Sequence, residues 1–147
     1  RAMGWTDSHL HQFQIEGKTY SVPDPEWEEK EILDEKKARL YEFIDRGIGQ
    51  LSYEYDFGDS WEHRIVFEKE LPVLARQHYP VCIDGARACP PEDCGGTTGY
   101  EEFLQAIGDP RHTDHERLLE WIGGSFDPEA FDLKETNRRL KGIRAPV

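Results

Sequence analysis

Apolar and polar residues alternate with a period of two through residues 53–67. Tyr53, Tyr55 and Phe57 fall on one face against Glu54 and Asp56, then Trp61, His63, Ile65 and Phe67 against Glu62, Arg64 and Glu68. The break at Gly58-Asp59 carries turn chemistry, because glycine tolerates a positive φ and aspartate can bond its own backbone two residues on. The stretch predicts a β-hairpin with an aromatic inner face and carboxylates at its tip. The same period recurs upstream, where His9, His11, Phe13 and Ile15 share a face. Glu16-Gly17-Lys18 reads as the next turn and residues 19–22 as the returning strand, ended by Pro23-Asp24-Pro25 because proline lacks a ladder donor.

Elsewhere the spacing turns helical. Leu40, Phe43 and Ile44 predict a short helix stopped by Gly47, and the charged stretch 26–37 around Trp27, Ile32 and Leu33 reads as an exposed loop or a frayed helix. Residues 79–83 read as a short extended piece, and residues 88–100, rich in cysteine, proline and glycine, as a structured loop. Three helices then follow. Tyr100, Phe103, Leu104 and Ile107 form the stripe of the first, and Leu118, Leu119, Trp121 and Ile122 that of the second, before Gly123-Gly124. Asp132 caps the third, with Glu135 completing a capping box. This order predicts one α+β domain over residues 1–147: a small, mostly antiparallel sheet with C-terminal helices packed against it.

Composition narrows the class. A chain of 147 residues with 37% hydrophobic and 12% aromatic content buries a core that leans on large rings. No apolar run approaches the roughly 20 residues of a membrane helix, and no secretory signal opens the chain. Cys82, Cys89 and Cys94 are an odd count, which predicts reduced thiols and a cytoplasmic protein. A net charge of -12 repels phosphate backbones and disfavours direct nucleic-acid binding. The basic cluster Lys134, Arg138, Arg139, Lys141 and Arg144 is explained by complementing the end of the last helix.

Two groups of residues carry candidate chemistry. His9-x-His11 presents two imidazoles on one strand face; with His63 and Asp59 they make a set suited to zinc or another divalent ion that activates water. The competing reading is that these histidines are hydrogen-bonded to Asp7, Asp56 or Asp59 and lock the turns without a metal. The second group is the aromatic set of the hairpin, which either packs a core or lines a ligand groove, with Tyr55, Trp61 and Asp93 as the ligand contacts. The cysteine spacings do not match paired zinc knuckles, and the loop from Cys94 to Gly99 lacks the Lys-Ser/Thr pair of a phosphate-binding loop. Glu92-Asp93 reads as a capping or turn pair before an acid/base pair.

Four segments carry a resemblance: Gly4-Trp5-x-Asp7-Ser8-His9-Leu10-His11-x-Phe13; Tyr53-x-Tyr55-Asp56-Phe57-Gly58-Asp59-x-Trp61-x-His63; Cys89-Pro90-Pro91-Glu92-Asp93-Cys94-Gly95-Gly96-x-x-Gly99-Tyr100; and Phe126-Asp127-Pro128-Glu129-x-Phe131-Asp132. On these the chain resembles the plasmid pRiA4b ORF-3-like family of intracellular domains. The resemblance implies an upstream hairpin and most of a helix ending at Ala2-Met3-Gly4-Trp5, hence a β-grasp-like order; without those pieces the sheet keeps an open edge. It implies no particular reaction. The leading expectation is an interaction or ligand-binding module, associated with plasmids or mobile elements, whose partner is a protein or small molecule. The alternatives are a metal-dependent hydrolase using the His/Asp cluster and a nucleic-acid-associated accessory protein.

Overall fold

The central hairpin forms where the alternation places it. In the computed structural model, which describes residues 2–23 and 32–143, β4 (Gln50–Tyr55) and β5 (Trp61–Val66) pair antiparallel, with Tyr53 opposite His63 and Tyr55 opposite Trp61. Gly58-Asp59 lie in the turn, residues 57–60, but the positive φ and the aspartate bond fall on its flanks. Asp56 (φ 60°) and Ser60 (φ 52°) take the left-handed conformation. Asp56 tolerates it because its Oδ1 accepts from the backbone N–H groups of Gly58 at 3.0 Å and Asp59 at 3.3 Å. Phe57 therefore leaves the aromatic face and is exposed.

β1 (His11–Ile15) and β2 (Lys18–Ser21) are joined by Glu16 and Gly17, both at positive φ, which matches the twist of a two-residue hairpin loop. β1 also pairs with β4, Phe13 lying opposite Tyr53. Of the charged stretch 26–37, residues 24–31 lie outside the described residues. The remainder is not a loop: β3 (Ile32–Asp34) runs parallel to β2, and a 3-10 turn (Glu35–Lys37) follows, capped by Asp34. Ile32 and Leu33 become a strand through pairing with Thr19 and Tyr20, a partner that local composition does not reveal. The result is an open five-stranded mixed sheet of order β3-β2-β1-β4-β5. α1 (Leu40–Asp45) lays Phe43 on it, so that Ile15, Phe43 and Leu51 are buried among Phe13, Tyr20, Ala38, Ile48 and Phe67. Each such burial stabilises by about 1.5–3 kcal/mol. These elements form one unit, residues 9–72.

Residues 1–8 and 73–147 form a second unit, which carries α2 (Gly96–Gly108), α3 (His115–Ile122) and α4 (Leu133–Leu140). α2 starts earlier than the stripe suggests. Gly96-Thr97-Thr98-Gly99 are its first turn rather than a loop, so Glu101 and Glu102 lie beyond the helix start. Gly99 is obligatory there: a Cβ on it would sit 2.0 Å from the Cys94 carbonyl oxygen. α3 has no buried residue, and Trp121, expected in an apolar stripe, is 48% exposed. α4 is capped as expected, Asp132 accepting from the N–H groups of Lys134 and Glu135; the Glu135 side chain pairs with Arg138 instead of closing a capping box. Residues 79–83 form no strand. The Asn137 side chain replaces a neighbouring strand, accepting from Cys82 N–H at 2.9 Å and donating to Cys82 C=O at 2.9 Å.

The segment before β1 is tied to the loop ahead of α2. Trp5, 7% exposed, donates its indole N–H to Pro90 C=O at 3.0 Å, and Thr6 donates both its backbone N–H and its hydroxyl to Glu92 Oε1. Glu92 is thereby a turn-locking acceptor. With strands in one unit and the longer helices in the other, the fold is α+β. Among the described residues no helix is long and apolar enough to cross a membrane.

Candidate functional site

A cleft of about 690 Å³ opens in the helical unit, and local sequence explains each wall. One wall is α2, whose buried Phe103 and Ala106 supply an apolar floor beneath Gly99 and Glu102. Another is α3 with Arg117, Leu118 and Trp121. The loop residues His112, Thr113 and Asp114 line it as well, as do Asp93 and Cys94.

Hydrogen bonds at the α2–α3 corner hold this shape. His115 donates Nδ1–H to the Ala106 carbonyl at 2.9 Å, satisfying one of the acceptors left open at the end of α2. His112 Nδ1 accepts from Asp114 N–H at 3.1 Å. Phe103 meets Trp121 edge to face at 5.7 Å, and Phe126 edge to face at 5.4 Å. Trp121 is therefore oriented by packing while much of its ring faces solvent.

The rim is acidic. Asp93, Glu102 and Asp114 line the cleft with His112 and one arginine, Arg117, which is engaged by Asp114 at 2.9 Å. Asp93 is exposed and held at φ 56°. Cys89, outside the cleft, is a poor nucleophile: burial first, and the Glu92 carboxylate second, push its thiol up to about 11.

Among the sequence-selected ligand contacts, Asp93 lines this cleft. Tyr55 and Trp61 lie opposite each other across β4 and β5 and are 2% and 9% exposed. Their burial makes them core residues of the hairpin. The sequence-selected metal set, His9, His11, Asp59 and His63, makes the following contacts. His9 Nδ1 lies 3.7 Å from Asp56 Oδ2, and the ring meets Tyr55 edge to face. His11 Nε2 lies 3.0 Å from Glu35 Oε2, and His63 Nδ1 lies 3.2 Å from the Tyr53 carbonyl. The Tyr53 ring has His11 at 5.8 Å and His63 at 5.5 Å, while Asp59 contributes its N–H to the Asp56 turn.

Sequence reasoning did not select Glu102, Asp114, Arg117 or Trp121. Trp121 reads as one of the apolar stripe of the second helix, and helical spacing does not say how far that stripe is covered. The Asp114-x-x-Arg117 spacing was the available signal, since residues three apart on a helix start are neighbours.

Comparison with known proteins agrees with this architecture. The chain is 38% identical over 145 residues to the uncharacterised protein y4hQ of Sinorhizobium fredii (strain NBRC 101917 / NGR234), spanning 98% of this chain and 74% of that protein. It is similar to the crystal structure of MM3350, a protein of unknown function from Methanosarcina mazei Go1, with a TM-score of 0.81 and 37% identity over 91% of this chain and 76% of that one. Residues 1–135 match the family described as plasmid pRiA4b ORF-3-like protein, and with that extent of match the chain belongs to the plasmid pRiA4b ORF-3-like family.

Proposed function

We propose that the protein is a ligand-binding module whose site is the α2–α3 cleft, and that its ligand carries a cationic head on an apolar stem, such as a lysine or arginine side chain or an alkylammonium. The observation that carries the reading is the half-exposed Trp121 ring, set by Phe103 in a cleft rimmed by Asp93, Glu102 and Asp114. An indole face attracts a cation by about 0.5–2 kcal/mol, more as water is excluded, and carboxylates around it add charge complementarity. The chain's net charge of -12 favours the same class of ligand.

Calorimetric titration with N-acetyl-lysine methylamide, N-acetyl-arginine methylamide and a lysine-rich peptide tests this. Binding that weakens with added salt and is lost in Trp121→Ala and Glu102→Gln supports it. Equal binding of a neutral isostere, or no heat with any cation at millimolar concentration, overturns it. A second reading, the metal-dependent hydrolase, is supported by the two ligand atoms His9 Nδ1 and Asp56 Oδ2, 3.7 Å apart. Elemental analysis of protein purified without a histidine tag, beside His9→Ala, tests that one.

A further inference from the structure

Among the described residues β5 ends the sheet, pairing with β4 on one side. Its outward polarity follows from the ladder. Phe67 donates its N–H to Gly49 C=O at 2.9 Å, which continues the register of Ile65 opposite Leu51 and His63 opposite Tyr53. Hydrogen-bonded residues alternate along an antiparallel strand. Trp61, His63, Ile65 and Phe67 therefore bond towards β4, and Glu62, Arg64 and Val66 direct their N–H and C=O groups away from it. Glu62, Arg64, Ile65 and Val66 are all exposed.

The side chains on this edge are incompletely matched within the sheet. Glu62 lies opposite Glu54, a like-charge pair, and Arg64 lies opposite Ser52. Among the described residues Arg64 makes no ion pair. A second copy of β5 supplies both missing partners. Antiparallel pairing of two β5 strands about a two-fold axis at His63 places Glu62 of each copy opposite Arg64 of the other. Those are the residues whose backbone groups point outward, so each Glu62–Arg64 pair also exchanges N–H···O=C bonds. Trp61 then faces Ile65. Shifting the axis to Arg64 sets arginine against arginine, and shifting it to Glu62 sets glutamate against glutamate.

We infer that β5 is a self-pairing edge, joining two copies of the chain into a continuous sheet through reciprocal Glu62–Arg64 pairs. A strand edge buries little surface, so the dimer is weak and concentration-dependent. This inference is independent of the cleft.

Sedimentation equilibrium of the full chain from micromolar to several hundred micromolar, at low salt, tests it. The expected result is a reversible monomer–dimer equilibrium. Each of Glu62→Arg and Arg64→Glu turns two attractive pairs into two repulsive ones and weakens dimerisation roughly tenfold or more. The double variant Glu62→Arg/Arg64→Glu recreates the pairs with signs exchanged and restores dimerisation. Circular dichroism melts of all three confirm that they fold; a single variant that fails to fold leaves the double variant's recovery as the deciding measurement. A monomer throughout, a dimer that tolerates either single reversal, or a double variant that stays monomeric overturns the inference.

Discussion

Replacing Gly99 by alanine tests how α2 begins. In an ordinary helix interior this change stabilises by roughly 0.5–1 kcal/mol, because glycine has more backbone freedom to lose. Here the added Cβ would lie 2.0 Å from the Cys94 carbonyl oxygen and 2.9 Å from its carbon. Both atoms are backbone, so no side chain can rotate away; the Cys94 peptide or the first turn of α2 must move by more than 1 Å, on the scale of van der Waals contact near 3.5 Å. Overpacking of this kind costs about 1–3 kcal/mol, and bond-angle distortion of 15° about 4. After the helix-propensity gain, the net loss is roughly 2–4 kcal/mol, or a fall in melting temperature of roughly 5–15 °C for a chain of this size. Gly108, in the same helix with nothing within 4 Å of its Cβ position, is the control. Gly108→Ala is expected to be neutral or to stabilise by up to about 1 kcal/mol. Chemical denaturation of the two variants beside the parent measures both. If Gly99→Ala is as stable as Gly108→Ala, then Cys94 does not close over α2 as described, and the Asp93-Cys94 wall of the cleft falls with it.

Asn137→Ala removes the two bonds to the Cys82 backbone and is expected to cost about 1–3 kcal/mol, with increased amide exchange at Cys82 as the local readout. The Asp132 carboxylate is held below its ordinary value chiefly by the N–H of Glu135. The capped α4 therefore gains stability above the unfolded-state value near 3.8 and loses it as pH falls through the lower folded value. Asp132→Asn, which keeps an acceptor, should flatten that acid limb in a melting-temperature profile while retaining most of the helix; an unchanged limb would count against the cap. Cys89, raised from 9.0 to about 11, stays a thiol while the unfolded chain ionises, so its contribution to stability is present below pH 9 and declines between those values. Iodoacetamide labelling at pH 8 with peptide mapping should find Cys89 the slowest of the three thiols, and rapid labelling there would refute its burial.

What was legible in the sequence was local. The Tyr53/Tyr55 and Trp61/His63 alternation, the Glu16-Gly17 turn, the stop at Gly47 and the Asp132 cap each depend on neighbours within a few residues, and the structure places all of them where the pattern does. What was not legible depended on distant partners. Ile32 and Leu33 read as part of a charged loop because their ladder partners, Thr19 and Tyr20, lie twelve or more residues away. Residues 79–83 read only as a short extended piece, because the sequence does not show what holds such a segment, here the Asn137 side chain. The turn at Asp56 shows an intermediate case: the chemistry was right, an aspartate bonding the backbone two residues on, but it belongs to Asp56 rather than Asp59.

The candidate site follows the same division, and this explains which residues were selected. His9-x-His11 is visible in one line of sequence, whereas the residues beside it in the structure, Asp56 near His9 and Glu35 near His11, come from later in the chain. The cleft was overlooked because its parts are spread from Asp93 to Trp121 and carry no single motif. Trp121 marks the difference most plainly. Helical spacing says only that it shares a face with Leu118, whereas packing decides how far that face is covered, and in α3 Leu118 is half-buried while Trp121 is exposed. A large ring kept half exposed loses the transfer free energy that burial would return, about 25 cal/mol for each Å² left in water. Phe103 fixes its orientation without covering it. On the proposed reading, an apolar surface so oriented in a cleft lined by Asp93, Glu102 and Asp114 is where the cationic ligand would sit, and Trp121→Ala should then abolish binding while costing the fold little.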